Sequence, residues 1–355
     1  MRKLILNITM IIMLILPVKG QEQNGSANPI IIKMGNVFGD TEQGRMPTHT
    51  PRIQELIAKK IDQHTNGQIK WEILRGKNNK INIFRSPDMV AENDQIQATN
   101  VPASFFPRIP EMEIQSIPFL FENVEHSRRF LTSEPAHWLS QKIEETYDVK
   151  VLGHFYNAAF VSINGTKPIR EPEDFSGKII NGFGKIWLPM WTDIKPKEIR
   201  YIGFSEAVTG KLVEPDSDFE INIGMIQNNN IQGLHKRFKY TTLAPNFYNI
   251  FYTMMINNNV WQGLTDFQRS GIMKAVTEGQ QASIAYQIDT TLWAFQLNQS
   301  EGVEMHIQTS AERARWKKEF YSKMVEAVAE KSNEPEKTRE MIKKIEALVD
   351  DLRWQ

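Results

Sequence analysis

Ser205, inside Gly203-Phe204-Ser205-Glu206-Ala207, is the residue of this 355-residue chain that stands nearest to a nucleophile motif. A serine-hydrolase elbow needs Gly-x-Ser-x-Gly between a strand and a helix, where the sharp turn exposes the hydroxyl. Ala207 takes the place of the last glycine, and Ser205 followed by an acid reads better as a helix start. The histidines at 49, 64, 126, 137, 154, 235 and 306 never stand at the close spacing that puts two metal ligands on one helix face. Without cysteine the chain has no thiolate zinc site, no disulfide framework and no lipid-modified cysteine anchor. Neither phosphate-cradling glycine fingerprint occurs. The expectation is a binding fold with no metal, no cofactor and no enzymatic activity.

The elements that must carry such a fold begin after residue 20. Arg2 and Lys3, an apolar run from Leu4 to Leu16, and Pro17-Val18-Lys19-Gly20 before polar Gln21 have the grammar of a signal peptide cleaved near Gly20. The run is shorter than the roughly 20 apolar residues a membrane span needs, so a periplasmic protein without stable membrane insertion is expected. Removing Arg2, Lys3 and Lys19 from 42 basic residues leaves 39 against 42 acidic ones. So weak a charge argues against a nucleic-acid or anionic-membrane binder. The Asn-x-Ser/Thr sites at Asn7, Asn24, Asn164 and Asn298 are read as chance sequons in an asparagine-rich chain.

About 335 remaining residues exceed one comfortable hydrophobic core, so two lobes are expected. Ile30 to Met34 reads as a buried strand, Thr50-Pro51 opens a helix carrying Ile53, Leu56, Ile57 and Ile61, and Ile69 to Leu74 alternates as a second strand. This is the opening βαβ unit of an α/β fold. A helix is predicted over 86–98 and another over 123–146. Strands follow at Val149–Phe155, Phe160–Asn164, Gly177–Ile180 and Phe251–Ile256. One long helix is predicted from Asp266 to Leu297, and a charged helical tail over 311–353. Residues 214–220 read as an acidic insertion.

Taken in order, several segments resemble the solute-binding proteins of tripartite ATP-independent periplasmic (TRAP) transporters, of the C4-dicarboxylate-binding type. Ile117-Pro118-Phe119-Leu120-Phe121 is similar to the family's Pro-Phe-Leu-Phe element, and Val151-Leu152-Gly153 to its strand entering the second lobe. Lys167-Pro168-Ile169 through Pro172-Glu173-Asp174-Phe175-Ser176-Gly177-Lys178-Ile179-Ile180 resembles its Lys-Pro-Ile…Gly-x-Lys-Ile run. Phe204-Ser205-Glu206 and Met255-Ile256-Asn257…Trp261-Gln262-Gly263-Leu264 are similar to two further segments. The resemblance implies a two-lobed type II periplasmic-binding-protein fold with hinge strands and a long lobe-spanning helix. It also implies capture of a small organic solute in the interlobe cleft and delivery to TRAP membrane permease subunits. Expected boundaries are 29–150 with 247–285 for lobe I, and 151–246 with 286–355 for lobe II.

The departures bear on the ligand. The family's run ends in an arginine whose fork grips a carboxylate through two parallel bonds, whereas Asn181 stands at that position here. A second family arginine falls near Phe160-Val161, also without a basic residue. The implied pocket is aromatic and amide-rich, with Asn36, Phe105, Asn157, Phe160, Asn181, Trp187, Gln227 and Asn228 as candidate lining residues. Arg85 or Arg108 is an alternative cation from the other lobe. Two other readings stay open: a ligand-sensing protein signalling to a membrane receptor, and a periplasmic hydrolase using Ser205.

Overall fold

The computed structural model describes residues 28–35, 42–43, 46–47, 49–74, 81–182, 185–202 and 210–350. The signal-peptide grammar, Asn36 and Ser205 lie outside them. The β-branched run forms strand β1 (Ile30–Gly35), and β2 (Glu42–Gln43) and β3 (Met46–Pro47) pair as a small hairpin. Helix α1 (His49–His64) buries Ile53, Ile57 and Ile61, as its spacing predicts. It ends where Asn66 and Gly67 take positive φ, 52° and 77°, and the Gly67 N–H donates to the Asp62 carbonyl at 2.8 Å. Strand β4 (Ile69–Leu74) then pairs with β1 in parallel, completing the expected βαβ unit.

Helix α2 (Ser86–Ala91) is shorter than the predicted 86–98, because Asn93 and Gln95 adopt φ of 53° and 51° and turn the chain into β5 (Ala98–Pro102). The predicted 123–146 helix is two, α3 (Val124–Phe130) and α4 (Glu134–Tyr147). Ser133 accepts the Ala136 N–H and Pro135 occupies the first turn, so a new helix starts there. Strand β6 (Val149–Gly165) is one ribbon where two strands were expected. The polar and small residues 157–159 interrupt its apolar pattern, yet pairing of Ala158 with Ile250 carries the ladder through. Strands β7 (Ile179–Asn181), β8 (Glu198–Arg200) and β9 (Ile221–Met225) follow, then the short α5 (Ile226–Ile231) and the 18-residue β10 (Tyr240–Asn257). Next come α6 (Asn258–Gly263), α7 (Asp266–Ser300), β11 (Glu304–Ile307), α8 (Ser310–Lys331) and α9 (Pro335–Asp350).

One sheet runs β4-β1-β5-β10-β6-β9-β7-β8, with β11 added on β10. Its flanks are parallel and its centre, β5/β10, β10/β6 and β6/β9, is antiparallel. The two long strands belong to both flanks: β5 pairs with Tyr252–Ile256 of β10, whereas β9 pairs with Val161–Gly165 of β6. Between the two stretches the β10 register breaks from Pro245 to Ile250, with Asn246 at φ 55°.

Helix α7 has 35 residues, about 50 Å at 1.5 Å per residue. Thr265 and Gln268 form a capping box at its start. Gly279 lets α1 approach closely, since a Cβ there would sit 2.5 Å from Ile57 Cγ1. The helix inverts the usual surface pattern: Ser283, Gln287, Thr290, Thr291 and Asn298 are buried while Ile288, Leu292 and Trp293 are exposed. Phe119, Leu120 and Phe121 are buried in the main core, and Phe119 donates its N–H to the Phe247 carbonyl at 2.9 Å. Helix α9 packs Met341, Ile342 and Ile345 against that core, beside α3 and α4. Two sequon asparagines, Asn164 and Asn298, are fully buried, which is incompatible with carrying a glycan in the folded protein.

Candidate functional site

Parallel strands end on both sides of the long central ribbons, β1 and β5 at Gly35 and Pro102, β7 and β9 at Asn181 and Met225. The carboxyl ends of α/β strands are where ligands sit. The side chain that links the two sides is Asn157, buried midway along β6. Its Oδ1 accepts from Thr50 Oγ1 at 3.0 Å, in the first turn of α1, and its Nδ2 lies 4.0 Å from Met225 Sδ at the end of β9. Gln227, in the first turn of α5, places Nε2 3.4 Å from the same sulfur.

His49 stands next to Thr50 and is 5 % exposed. Its Nε2 lies 2.8 Å from the Ser283 carbonyl of α7. A carbonyl oxygen can only accept, so Nε2 carries the proton and Nδ1 is left as an acceptor. Asn157 lies beside the ring without completing a hydrogen bond to Nδ1. Burial pushes the imidazole down to about 4, against the Ser283 and Asn157 contacts that favour its charged form, so the ring is neutral at pH 7. One helical turn from each of these contacts stands a buried glutamine. Gln54 follows Thr50 and Gln287 follows Ser283 at the i,i+4 spacing that shares a face. Both amide atoms of Gln54, and Oε1 of Gln227 and of Gln287, have no hydrogen-bond partner within the protein. Buried polar atoms are nearly always satisfied, and these side chains on α1, α5 and α7 keep atoms that are not.

The other predicted residues separate into two groups. Asn181 is 6 % exposed, and its amide is already engaged: Nδ2 donates to Asn222 Oδ1 at 2.7 Å and Oδ1 accepts the Ile202 N–H at 2.8 Å. Asn228 is half-buried on α5, where its carbonyl accepts the Gln232 N–H. Phe105 is half-buried after β5, with its ring 5.0 Å from that of Phe84, and Phe160 is half-buried against two apolar clusters. Trp187 lies in a 3-10 turn, Lys185–Trp191, and its side chain and Asn36 lie outside the described residues. The sequence reading missed His49, Thr50, Gln54 and Gln287. The available signal was the helix start at Thr50-Pro51, since the first turn of a helix following a strand-end loop faces the ligand side of an α/β sheet.

A second polar cluster lies within the β9 flank. Asn229 Nδ2 donates to Asn164 Oδ1 at 2.7 Å, Thr241 Oγ1 donates to the same oxygen at 2.8 Å, and Ser162 Oγ donates to Asn229 Oδ1 at 3.2 Å. All four are at most 2 % exposed and none of their side-chain atoms lacks a partner.

Among the described residues no arginine or lysine is buried. Arg85 pairs with Glu92 at 3.2 Å and Arg108 with Asp88 at 2.5 Å, both exposed on the surface, so neither stands as the substitute cation. Ser140 Oγ lies 2.8 Å from His154 Nε2, but His154 is 2 % exposed and its Nδ1 meets Thr253 Oγ1 at 2.9 Å, which makes it a core tie between α4 and the central ribbons. Among the described residues no group of histidine and acidic side chains could hold a metal, and no helix is long and apolar enough to cross a membrane.

Comparison with known proteins bears on the family and the fold. The family model DctP, "bacterial extracellular solute-binding protein, family 7", matches residues 39–180 and 221–331. The stretch between them begins at Asn181. The C4-dicarboxylate-binding periplasmic protein DctP of Rhodobacter capsulatus is 21 % identical over 82 % of this chain and 84 % of its own length. A TRAP periplasmic solute-binding protein of Desulfovibrio salexigens, solved with orotic acid, superposes with a TM-score of 0.75 at 18 % identity, covering 91 % of this chain and 99 % of that one. One from Chromohalobacter salexigens, solved with D-glucuronate, gives 0.74 at 12 % identity over 89 % and 99 %. These structures share the two-lobed periplasmic-binding fold expected from the sequence.

Proposed function

The chain belongs to the DctP family of bacterial extracellular solute-binding proteins, and we propose that it captures a small polar organic solute at Asn157 and delivers it to a TRAP-type membrane permease from the periplasm. The family and the relatives named above support the transport role. The cluster of buried, unpartnered polar atoms between α1, α5 and α7 supports the place. The ligand bridges the two flanks and stabilises the closed arrangement, the usual device of hinged receptors. Phe105 and Phe160 line its apolar side in this reading, with Gln227 and Asn228 at the rim. Asn181 acts by holding Asn222 and the Ile202 backbone in place. The protein works by binding alone, with no bond made or broken.

The related structures were solved with acids, orotic acid and glucuronate. This chain buries no basic side chain among its described residues, and the family's arginine position holds Asn181. The solute is therefore held by amides, hydroxyls and an imidazole. A thermal-shift screen of the purified protein against organic acids, sugars, amides, amino acids and small aromatics tests the proposal. A true ligand at about 100 times its Kd adds about 2.7 kcal/mol of stability and raises the melting temperature. If no class of small molecule moves it, the receptor reading fails. If simple dicarboxylates move it most, the reading of a pocket without a cation fails.

A further inference from the structure

The acceptors left over around Asn157 narrow the solute class, on the premise that this cluster is the ligand site. His49 Nδ1 is an acceptor without a partner, and the amides of Gln227 and Gln287 each keep one unmet atom. The direction is firmest at His49, where the Ser283 carbonyl fixes the proton on Nε2. A carboxylate brings only lone pairs and would set an acceptor against His49 Nδ1. A hydroxyl group can donate to that nitrogen and accept from a neighbouring donor. A cationic solute fits poorly as well: the site lies at the positive end of α1, Arg52 lies one turn away, and among the described residues the only buried carboxylate, Glu111, approaches Asn333 and Lys142 away from the cluster.

We propose that His49 is a specificity-determining residue whose Nδ1 accepts a hydrogen bond from the solute, and that the solute is a neutral polyhydroxylated compound, a sugar or polyol, with no carboxylate at that position. The depressed protonation of the buried ring agrees with an acceptor role at neutral pH. Gln287 Oε1, one turn along α7 from the Ser283 contact, takes a second hydroxyl. A site built to meet a hydroxyl strongly rejects analogues that cannot supply one, because its own buried atoms are then left unpaired.

The test is isothermal titration of the purified protein with matched pairs: D-glucose and D-glucuronate, D-galactose and D-galacturonate, glycerol and glycerol 3-phosphate. At least one neutral member should bind, and at least about tenfold tighter than its acidic partner. His49→Gln keeps a donor for the Ser283 carbonyl but removes the Nδ1 acceptor, so it should weaken the neutral probe about tenfold while leaving the unliganded melting temperature nearly unchanged. Gln287→Met provides a second variant that does not touch the His49–Ser283 contact, and should weaken the same probe. A tighter acidic member, or a neutral affinity unmoved by both variants, overturns the proposal. If neither set binds while another class in the thermal-shift screen does, the sugar assignment falls and the receptor reading stands. Silence in both experiments ends both.

Discussion

Two clusters of amides and hydroxyls lie on the same central ribbons, and they differ in one respect. Around Asn164 every side-chain polar atom of Ser162, Asn164, Asn229 and Thr241 is met inside the protein. Around Asn157, His49, Gln54, Gln227 and Gln287 keep atoms that nothing in the protein meets. A satisfied buried network fixes one arrangement and rigidifies the core. An unsatisfied one leaves desolvation uncompensated, at about 1–3 kcal/mol for each orphaned group, and recovers it when a ligand supplies the missing partners. The three buried histidines repeat the contrast: His126 and His154 are met at both nitrogens and His49 at one. Residue type is the same in the two regions; hydrogen-bond saturation differs.

The largest effect that sharpens this contrast is acidification. Burial holds both His49 and His154 down at about 4, below the ordinary 6.5. The unfolded chain therefore takes up protons below pH 6.5 that the folded protein refuses until about pH 4. Stability is complete above that window and falls as pH falls through it. Between pH 7 and 5 each imidazole should cost about 2 kcal/mol, read from urea unfolding at both pH values. His49→Gln and His154→Gln should each remove one such share of the pH dependence, and a profile unchanged by either substitution would show that these rings do not carry it.

Breaking the saturated cluster comes next. Asn229→Ala orphans the groups now tied to it and should lower stability by about 2–3 kcal/mol in chemical denaturation, with ligand specificity unchanged. The smallest effect, and the one most particular to the comparison, is Gln287→Met. Replacing this amide, whose Oε1 is unmet and whose Nε2 donates to Thr291 Oγ1 at 3.1 Å, by an apolar side chain of similar length should change stability by no more than about 1 kcal/mol, while binding weakens. Loss of stability in this variant as large as in Asn229→Ala would erase the distinction between the clusters.

Much of the fold was legible from periodicity and stop signals. The βαβ opening, the long helix from Asp266 and the terminal amphipathic helix all lie where their patterns place them. The continuity of β6 was not legible, because Asn157-Ala158-Ala159 breaks the apolar pattern and only the partner strand, some ninety residues later, shows that the ladder persists. Strand ends pointed to Asn157 and Gln227, which the structure brings to the same sulfur of Met225. The helix-borne members escaped because a buried Gln54 or Gln287 has no local signature: sequence alone cannot say whether a glutamine's amide finds a partner. Asn181 was found by its motif position, and its engagement with Asn222 depends on a strand 40 residues away.

The place of β10 in the sheet also sets a timetable for the nascent chain. β5 and β6, which β10 separates, are complete by residue 165, but no strand pairing joins their two flanks until residues 240–257 emerge. Contacts so distant in sequence form slowly, since loop closure must precede any reward from pairing. Through two-thirds of its synthesis the polypeptide lacks the strand that would lock it shut. Such an order of pairing suits a chain that must be threaded across a membrane before it closes.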